Sequence, residues 1–256
     1  MFKFKSSSGT ASSADSTKSI STDLGPVTYE PILSLPANYE PILNTPLDEE
    51  QKQKIKDLLA YMDTIMLSSD DPYYPSEKGF LSEATAHRYM RARKWDFEAA
   101  KTMLEKTVKW RREFKPDQLD PDFIRPEAET GKMYFSGYDK NGRPLWIMKP
   151  RNENSKDSDR QVKHIVFCLE RAIRLMPDNV EKISIVTDFK GSSMSSNPSV
   201  NTSKKFLEIL SNHYPERLAP WFFLTTFKVI APFVDPVTRN KIKFINSGDA
   251  KAATND

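Results

Sequence analysis

The sequence predicts an α/β protein with a small helical domain on its N-terminal side, and two observations support this fold class. Apolar residues recur at helical spacing through the first half of the chain, up to Phe114. From Met133 onward, short apolar runs typical of strands alternate with helical stretches. The length of 256 residues is enough for one or two domains with a substantial core. We therefore expect an N-terminal arm at 1–46, a helical domain at 47–116 and a sheet-containing domain at 117–256.

The N-terminal arm is rich in Ser, Thr and Pro, and it shows little helical or strand periodicity. The run Tyr29–Leu33, of sequence YEPIL, recurs as Tyr39–Leu43. Two copies are too few for a repeat fold. The composition predicts an extended or disordered arm, whose Ile–Leu pairs could dock on the folded domain.

Three helices are predicted in the helical domain. Thr45 is the expected N-cap of the first helix, with Pro46 in its first turn and acidic residues following. The apolar face of this helix comprises Ile55, Leu58, Leu59, Met62 and Ile65. The segment Ser68–Gly79 is predicted as a linker, and the other two helices are predicted at Ser82–Arg93 and Asp96–Phe114.

The sheet-containing domain begins with a predicted β-hairpin, because Asn141 and Gly142 form a strong turn signal between two apolar runs. The single cysteine, Cys168, lies on the apolar face of a predicted helix, and we expect it to be a small buried core residue. With one cysteine, no internal disulfide is possible. The predicted strands are Met133–Tyr138, Pro144–Met148, Ile183–Phe189 and Lys241–Ile245, and the predicted helices are Arg160–Met176, Thr202–Leu210 and Pro220–Phe233.

Charge and hydropathy exclude several classes of protein. The net charge of +3 is nearly balanced, so the composition does not indicate nucleic-acid binding. Met1–Thr22 lacks the apolar core of a secretory signal, and no apolar stretch reaches the roughly 20 residues that cross a bilayer. The sequence therefore predicts a cytoplasmic protein that reaches membranes only peripherally.

The usual signatures of catalysis and of metal binding are missing from the sequence. The glycines are scattered, with no phosphate-binding loop after a strand and no nucleophile elbow. The three histidines, His87, His164 and His213, show no spacing that suggests a metal site. We expect no enzymatic activity, no metal and no cofactor.

The segment from His213 to Lys241 is the most informative part of the chain. An aromatic, helix-length stretch, Pro220–Phe233, is flanked by two polar clusters, His213–Arg217 and Asp235–Lys241. The stretch is too short to span a bilayer, and so apolar a helix is costly in water unless something covers it. This combination suits a pocket with an apolar interior, a polar end and a movable apolar flap, and an amphiphilic lipid is the expected cargo.

These segments resemble a known family. The runs HYPER at His213–Arg217 and DPVTRNK at Asp235–Lys241, together with MRARKWD at Met90–Asp96, resemble the CRAL-TRIO lipid-binding domain of fungal phosphatidylinositol transfer proteins. A fourth match lies in the helix that follows Asp159. The resemblance covers residues 48–245 and implies a mixed, mostly parallel sheet that forms the floor of a lipid pocket, with an apolar gate helix above it.

The resemblance also implies which residues bind the lipid. An Arg–Lys pair contacts the phosphate, for which a guanidinium fork and an ammonium are suited donors, and a carboxylate accepts from the inositol hydroxyls. The implied headgroup residues are Arg93, Lys94, Glu216, Thr238 and Lys241. The implied gate residues, which contact the membrane when the gate opens, are Trp221, Phe222, Phe223 and Phe227.

The function implied by the resemblance is phosphatidylinositol binding and transfer between membranes, with presentation of the lipid to a lipid kinase. A second lipid, phosphatidylcholine or a sterol, would compete for the same cavity. Two alternatives remain open at this point. One is a CRAL-TRIO module for another hydrophobic ligand, such as a sterol, haem or a tocopherol-like molecule, and the other is a transfer-defective splice or truncation product.

The truncation alternative rests on a departure from the family pattern. The family continues after Arg217-Leu218 with a short apolar strand, whereas Pro220-Trp221 follows almost at once here. About seven residues, the length of a typical strand, are therefore expected to be missing from the interior of the sheet. The C-terminal region is also expected to be short.

Overall fold

The computed structural model describes residues 30, 32–193, 199–224 and 242–245. At 200, 220–224 and 242–245, only the course of the backbone is described. The helices are α1 (Glu49–Ile65), α2 (Tyr74–Phe80), α3 (Glu83–Ala92), α4 (Phe97–Phe114), α5 (Pro121–Ala128), α6 (Ser158–Leu175) and α7 (Val200–His213), and the strands are β1 (Met133–Tyr138), β2 (Pro144–Met148), β3 (Ile183–Asp188), β4 (Leu218–Leu224) and β5 (Ile242–Ile245).

Helices α1, α3 and α4 share one hydrophobic core. Leu58 and Met62 of α1 are buried against Tyr89 and Met90 of α3 and against Leu104 of α4. The predicted face of α1 is confirmed at Ile55, Leu58 and Met62, while Leu59 and Ile65 are partly buried at its edge.

The start of α1 differs from the prediction. Asp48, and not Thr45, is the N-cap, because its side chain accepts from the Gln51 N–H at 2.8 Å and the Gln51 side chain accepts from the Asp48 N–H at 3.3 Å. This reciprocal pair satisfies two donors that the first turn leaves unpaired, which a cap at Thr45 would not do.

The predicted linker Ser68–Gly79 contains a short helix, α2, that the sequence analysis missed. Glu77 of α2 is 2% exposed, and its carboxylate accepts two hydrogen bonds from Arg112, at 2.7 and 2.8 Å, and one from the Leu67 N–H at 2.8 Å. Pro75 and Gly79 weaken any local helix signal. The helix is stabilised by this non-local carboxylate–guanidinium contact.

The sheet has the strand order β1-β2-β3-β4-β5. The β1–β2 pair is antiparallel, and the other neighbouring pairs are parallel. Helix α6 covers the sheet through a core that includes Trp146, Val166 and Leu169. Cys168 is 6% exposed in the same core, and burial raises the pKa of its thiol to about 12. The predicted α/β fold and the buried position of Cys168 are confirmed.

The largest error of the sequence-based prediction concerns the aromatic segment. Residues Leu218–Leu224 form strand β4, paired in parallel with β3 on one side and β5 on the other. The helix predicted at Pro220–Phe233 is therefore wrong for its first five residues, and residues 225–233 lie outside the described part of the chain. Aromatic residues favour strands, and the interior position beside β3 offers backbone partners on both sides.

Strand β4 accommodates its proline through a register shift. Ile183 pairs with Leu218 and Ile185 with Trp221, so β4 carries one more residue than β3 across this interval. Pro220 lies in that interval, and proline lacks an N–H for the ladder. The interior strand expected to be missing is thus supplied by the aromatic residues themselves.

Residues 32–46 of the arm, which the sequence predicts to be extended or disordered, include a part that lies along the hairpin. The Gly137 N–H donates to the Ile32 carbonyl at 2.8 Å, and the Glu40 N–H donates to the Lys140 carbonyl at 2.9 Å. The Ile–Leu pairs do not dock: Ile32, Leu33, Ile42 and Leu43 are 47%, 58%, 62% and 71% exposed. Backbone hydrogen bonds and Tyr39 make the contact instead.

The contact between Tyr39 and the hairpin turn gives a testable prediction. Gly142 has φ +72°, and a Cβ there would lie 2.6 Å from Tyr39 Cδ2. Gly131 has φ +65° with nothing within 4 Å, so it shares the backbone strain without the clash. Both Gly→Ala variants should lose about 1–2 kcal/mol of stability from strain, and Gly142→Ala should lose more. Thermal melting with and without Tyr39→Ala measures the difference; equal losses in both backgrounds would show that Tyr39 does not pack on the turn.

Candidate functional site

The run His213–Arg217 lies between α7 and β4, and its first two residues connect the helical layer to the sheet layer. The His213 ring stacks on Trp110, with centroids 4.3 Å apart, and its Nδ1 lies 3.2 Å from Thr107 Oγ1. Tyr89 donates its hydroxyl hydrogen to the His213 carbonyl at 3.4 Å. Burial, with a smaller effect of Arg111, lowers the pKa of His213 to about 4. His213 is therefore neutral at pH 7 and serves as a packing residue.

Tyr214 belongs to a buried ionic network. Its hydroxyl donates to Glu170 Oε1 at 2.6 Å, and the same carboxylate accepts from Arg111 Nη1 at 2.9 Å. The Arg111 guanidinium also lies over the Phe80 ring, 4.5 Å from its centroid. Burial raises the pKa of Tyr214 well above its ordinary value. This network fixes the position at which the chain leaves α7.

Glu216 is held in a turn at the start of β4. Its φ of +60° is uncommon for a residue other than glycine, and such conformations persist where surrounding contacts enforce them. The Arg217 N–H donates to the Tyr214 carbonyl at 3.3 Å. The Glu216 carboxylate, 27% exposed, lies 3.4 Å from Lys182 Nζ, immediately before β3. Glu216 is thus presented to solvent beside one cation.

Arg93 and Lys94 end helix α3. Lys94 and Trp95 both have positive φ, 52° and 66°, and the Trp95 N–H donates to the Met90 carbonyl at 2.8 Å, which closes the helix with a Schellman-type bond. Arg93 is half-buried and Lys94 is exposed. No carboxylate among the described residues pairs with either side chain. The two donors are therefore held at a rigid turn and remain available to an anion.

The neighbouring cations of α3 are engaged differently. The Arg91 guanidinium donates to Glu181 Oε2, and Arg88 Nη1 lies 3.7 Å from Glu181 Oε1. Glu181 directly precedes Lys182, the partner of Glu216. Contacts thus run from α3 through Glu181 and Lys182 to Glu216. The sequence analysis identified Arg93 and Lys94 but missed Glu181 and Lys182, because a charged pair before a strand carries no local signal.

The remaining predicted site residues are not all described. Thr238, Lys241 and Phe227 lie outside the described residues. Trp221, Phe222 and Phe223 lie in β4, whose backbone pairs with strands on both sides. These three positions are therefore in a strand and not in the predicted gate helix.

The described residues contain no candidate membrane span and no candidate metal site. Across 32–193 and 199–213, the helices are too short or too polar to cross a bilayer. In the same part of the chain, no three His, Cys, Asp or Glu side chains are grouped as they would be around a metal ion.

Comparisons with family models agree with this architecture. A model of the CRAL/TRIO domain matches residues 128–254, and a model of the CRAL/TRIO N-terminal domain matches residues 54–106. A crystal structure of Sfh5 matches with a TM-score of 0.62 and 18% identity, covering 83% of this chain and 85% of that chain. At this level of identity, the structural match shows the fold alone.

Three curated relatives are similar in sequence. A CRAL-TRIO domain-containing protein of Schizosaccharomyces pombe is 41% identical over 212 residues, covering 77% of this chain and 21% of that protein. Phosphatidylinositol transfer protein PDR17 of Saccharomyces cerevisiae is 35% identical over 215 residues, covering 77% and 61%. The SEC14 cytosolic factor of Kluyveromyces lactis is 32% identical over 231 residues, covering 80% and 73%. The chain thus spans less than two thirds of the first two relatives.

Proposed function

Because the chain belongs to the CRAL-TRIO family, we propose that it binds phosphatidylinositol and transfers it between membranes without making or breaking a covalent bond. Two observations support this function. PDR17, which is 35% identical to this chain, is named a phosphatidylinositol transfer protein. The five positions that match the family's headgroup residues also hold the matching residue types.

The observation that carries the proposal is the contrast between the cations of α3. Arg91 is paired with Glu181, whereas Arg93 and Lys94, only two and three residues later, pair with no carboxylate of the described chain. A phosphodiester needs such donors, since guanidinium and ammonium groups make the strongest hydrogen bonds to phosphate oxygens. Arg93 and Lys94 are the proposed phosphate contacts.

The other headgroup contacts follow from the chemistry of inositol. The partly exposed carboxylate of Glu216 accepts from inositol hydroxyls, and its partner Lys182, 3.4 Å away, helps to orient it. Thr238 and Lys241 complete the proposed headgroup set as a hydroxyl and a second cation. Glu216 is well suited to this role because the hydrogen bond from Tyr214 to Glu170 fixes the chain just before the Glu216 turn.

Transfer requires that the acyl chains exchange between two apolar environments. Burying them in the protein is favourable by about 0.8 kcal/mol per methylene relative to water. The bilayer provides the same stabilisation, so exchange is close to neutral and reversible. We propose that the protein acts in the cytoplasm, contacts membranes peripherally, needs no cofactor and presents its lipid to a lipid kinase, with phosphatidylcholine or a sterol as the competing second ligand.

The proposed phosphate contact is tested by Lys94→Gln. Transfer of labelled phosphatidylinositol between vesicles should fall about tenfold, because a charge-assisted hydrogen bond is lost. Lys94 is exposed, so thermal stability should be unchanged. Lys106→Gln, at an exposed position of α4, is the matched control for the lost charge. If both variants transfer lipid equally well, Lys94 does not contact the phosphate.

A further inference from the structure

A cavity lies between helix α3, the loop that joins α6 to β3, and Arg217. Its volume is about 530 Å³, within the range of roughly 300–1,000 Å³ typical of small-ligand sites. Arg93, Lys94 and Glu216 do not line it. The cavity is therefore separate from the described part of the headgroup site. Its walls combine apolar side chains, such as Ala84, Ile173 and Val180, with charged ones.

The charged side chains that line this cavity are two guanidinium groups, Arg88 and Arg217, and three carboxylates, Glu83, Asp178 and Glu181. Arg88 is 6% exposed, and Arg91, which does not line the cavity, follows it three residues later on α3. Glu181 is the carboxylate they share: Arg91 donates to it directly, and Arg88 Nη1 lies 3.7 Å away. Arg88 and Arg91 thus share one carboxylate, and Arg217 is a third cation close to them, whose contact with Glu181 is to the backbone carbonyl.

Arg217 is the least compensated of the three. Its Nη1 donates to the Glu181 carbonyl at 3.0 Å and to Met176 Sδ at 3.6 Å, so its described partners are neutral. Burial, and then the charge of Arg88, lower the pKa of Arg217 to about 9. A buried cation beside another cation is stabilised when an anion binds between them.

Acidic groups at the rim only partly oppose this field. Glu83 is 74% exposed and lies 3.6 Å from His87 Nε2, and Asp178 is exposed in the loop after α6. Exposed charges are screened by water and salt far more than buried ones. The buried guanidinium groups of Arg88 and Arg217 therefore attract an anion, and the exposed carboxylates of Glu83 and Asp178 weaken that attraction.

We propose that this cavity binds a phosphate group through Arg88 and Arg217. Guanidinium forks match the geometry of phosphate oxygens, and the dianionic charge of a phosphomonoester compensates both cations. The remaining volume and the apolar wall accommodate a small organic body carrying that phosphate. This chemistry is shared by a lipid headgroup with a free phosphate and by a water-soluble phosphomonoester.

Isothermal titration calorimetry of the full chain with inorganic phosphate and with inositol 4-phosphate tests the proposal. We expect binding by the wild type at physiological salt and about tenfold weaker binding by Arg217→Gln, from the loss of a charge-assisted contact. Arg174→Gln, at an exposed position of α6, is the matched control and should bind normally. Circular dichroism establishes that each variant is folded.

The rim provides a test that does not depend on replacing a buried residue. Glu83→Gln and Asp178→Asn remove opposing charges at exposed positions, and each should tighten phosphate binding measurably, by about twofold at moderate salt. No binding by the wild type, or unchanged affinity in both rim variants and in folded Arg217→Gln, would overturn the proposal.

Two further measurements answer two questions. The first is which kind of molecule supplies the phosphate, and the second is whether the cavity is independent of the headgroup site. Vesicles with and without phosphatidylinositol 4-phosphate show whether a lipid headgroup enters; binding of inositol 4-phosphate alone would assign the site to a soluble phosphomonoester. Glu216→Gln should lose phosphatidylinositol transfer and retain phosphate binding in this cavity. Loss of both activities by folded Glu216→Gln would show that the cavity is not a separate site.

Discussion

Glu170→Ala is expected to lower the free energy of unfolding by about 3 kcal/mol, because it removes the nearer of the two carboxylates that pair with the buried Arg111 guanidinium and leaves only Asp117, whose Oδ1 lies 3.7 Å from Nη2. Arg111 is 7% exposed, and its Nη1 and Nη2 lie 2.9 and 3.5 Å from the Glu170 oxygens. Its Nε has no hydrogen-bond partner among the described residues. Since a domain of this kind has a total stability of about 5–15 kcal/mol, this single change would remove a large share.

The loss should also affect lipid transfer. Glu170 accepts the Tyr214 hydroxyl at 2.6 Å, and Tyr214 precedes the turn that presents Glu216. Urea unfolding monitored by circular dichroism measures the stability. Tyr214→Phe, which removes one hydrogen bond and leaves the ion pair, should cost only about 1 kcal/mol. Glu208→Ala, exposed on α7, should stay within about 0.5 kcal/mol of the wild type. A Glu170→Ala protein as stable as Glu208→Ala would show that the ion pair does not stabilise the junction of the two layers.

Acidification should destabilise the fold through His164. This side chain is 2% exposed, and its Nδ1 has no hydrogen-bond partner in the described chain. Burial, and then the charge of Lys132, lower its pKa from 6.5 to about 4, while Glu127 and Glu153 oppose the shift. The unfolded chain therefore takes up a proton at a higher pH than the folded chain does.

The sign and the window of the effect follow from these two pKa values. Above pH 6.5, His164 is neutral in both states and no stability is lost. Between pH 6.5 and 4 the unfolded state binds the extra proton, so stability falls as the pH falls. A pKa shift of this size lowers the free energy of unfolding by about 2 kcal/mol between pH 7 and 5. His213, whose pKa is also lowered to about 4, adds a smaller loss in the same window because it is only half-buried.

Urea unfolding at a series of pH values measures this dependence. His164→Leu, which keeps an apolar side chain in the core and removes the titrating group, should flatten the curve between pH 7 and 5 by about 2 kcal/mol. The smaller pH dependence of the free energy of unfolding that is due to His213 should remain in this variant. Parallel curves for the variant and the wild type would show that His164 does not titrate differently in the folded state.

Local sequence signals determined much of what could be predicted about the secondary structure and the family of this protein. The Asn141-Gly142 turn placed the hairpin, and the apolar period placed α6 with Cys168 in its core, because both patterns are read within a few residues. The order of the motifs MRARKWD, HYPER and DPVTRNK likewise identified the family, because these motifs are recognised in the sequence without knowing where the fold places them.

Tertiary structure decided what depends on partners far along the chain. Helix α2 is stabilised by Arg112, 35 residues away from Glu77, and no local pattern encodes that contact. HYPER was interpreted as one cluster, yet His213 and Tyr214 pack the two layers together and only Glu216 faces solvent near a cation.

The aromatic segment shows the physical reason most clearly. By itself, the run after Leu218 is compatible with either a helix or a strand, since both bury apolar side chains. In the folded chain it lies between β3 and β5, where a strand satisfies backbone groups on both sides and a helix would leave the neighbouring ladders unpaired. The sequence determined that this segment is apolar, and only the pairing of the sheet determined that its described part, Leu218–Leu224, is a strand.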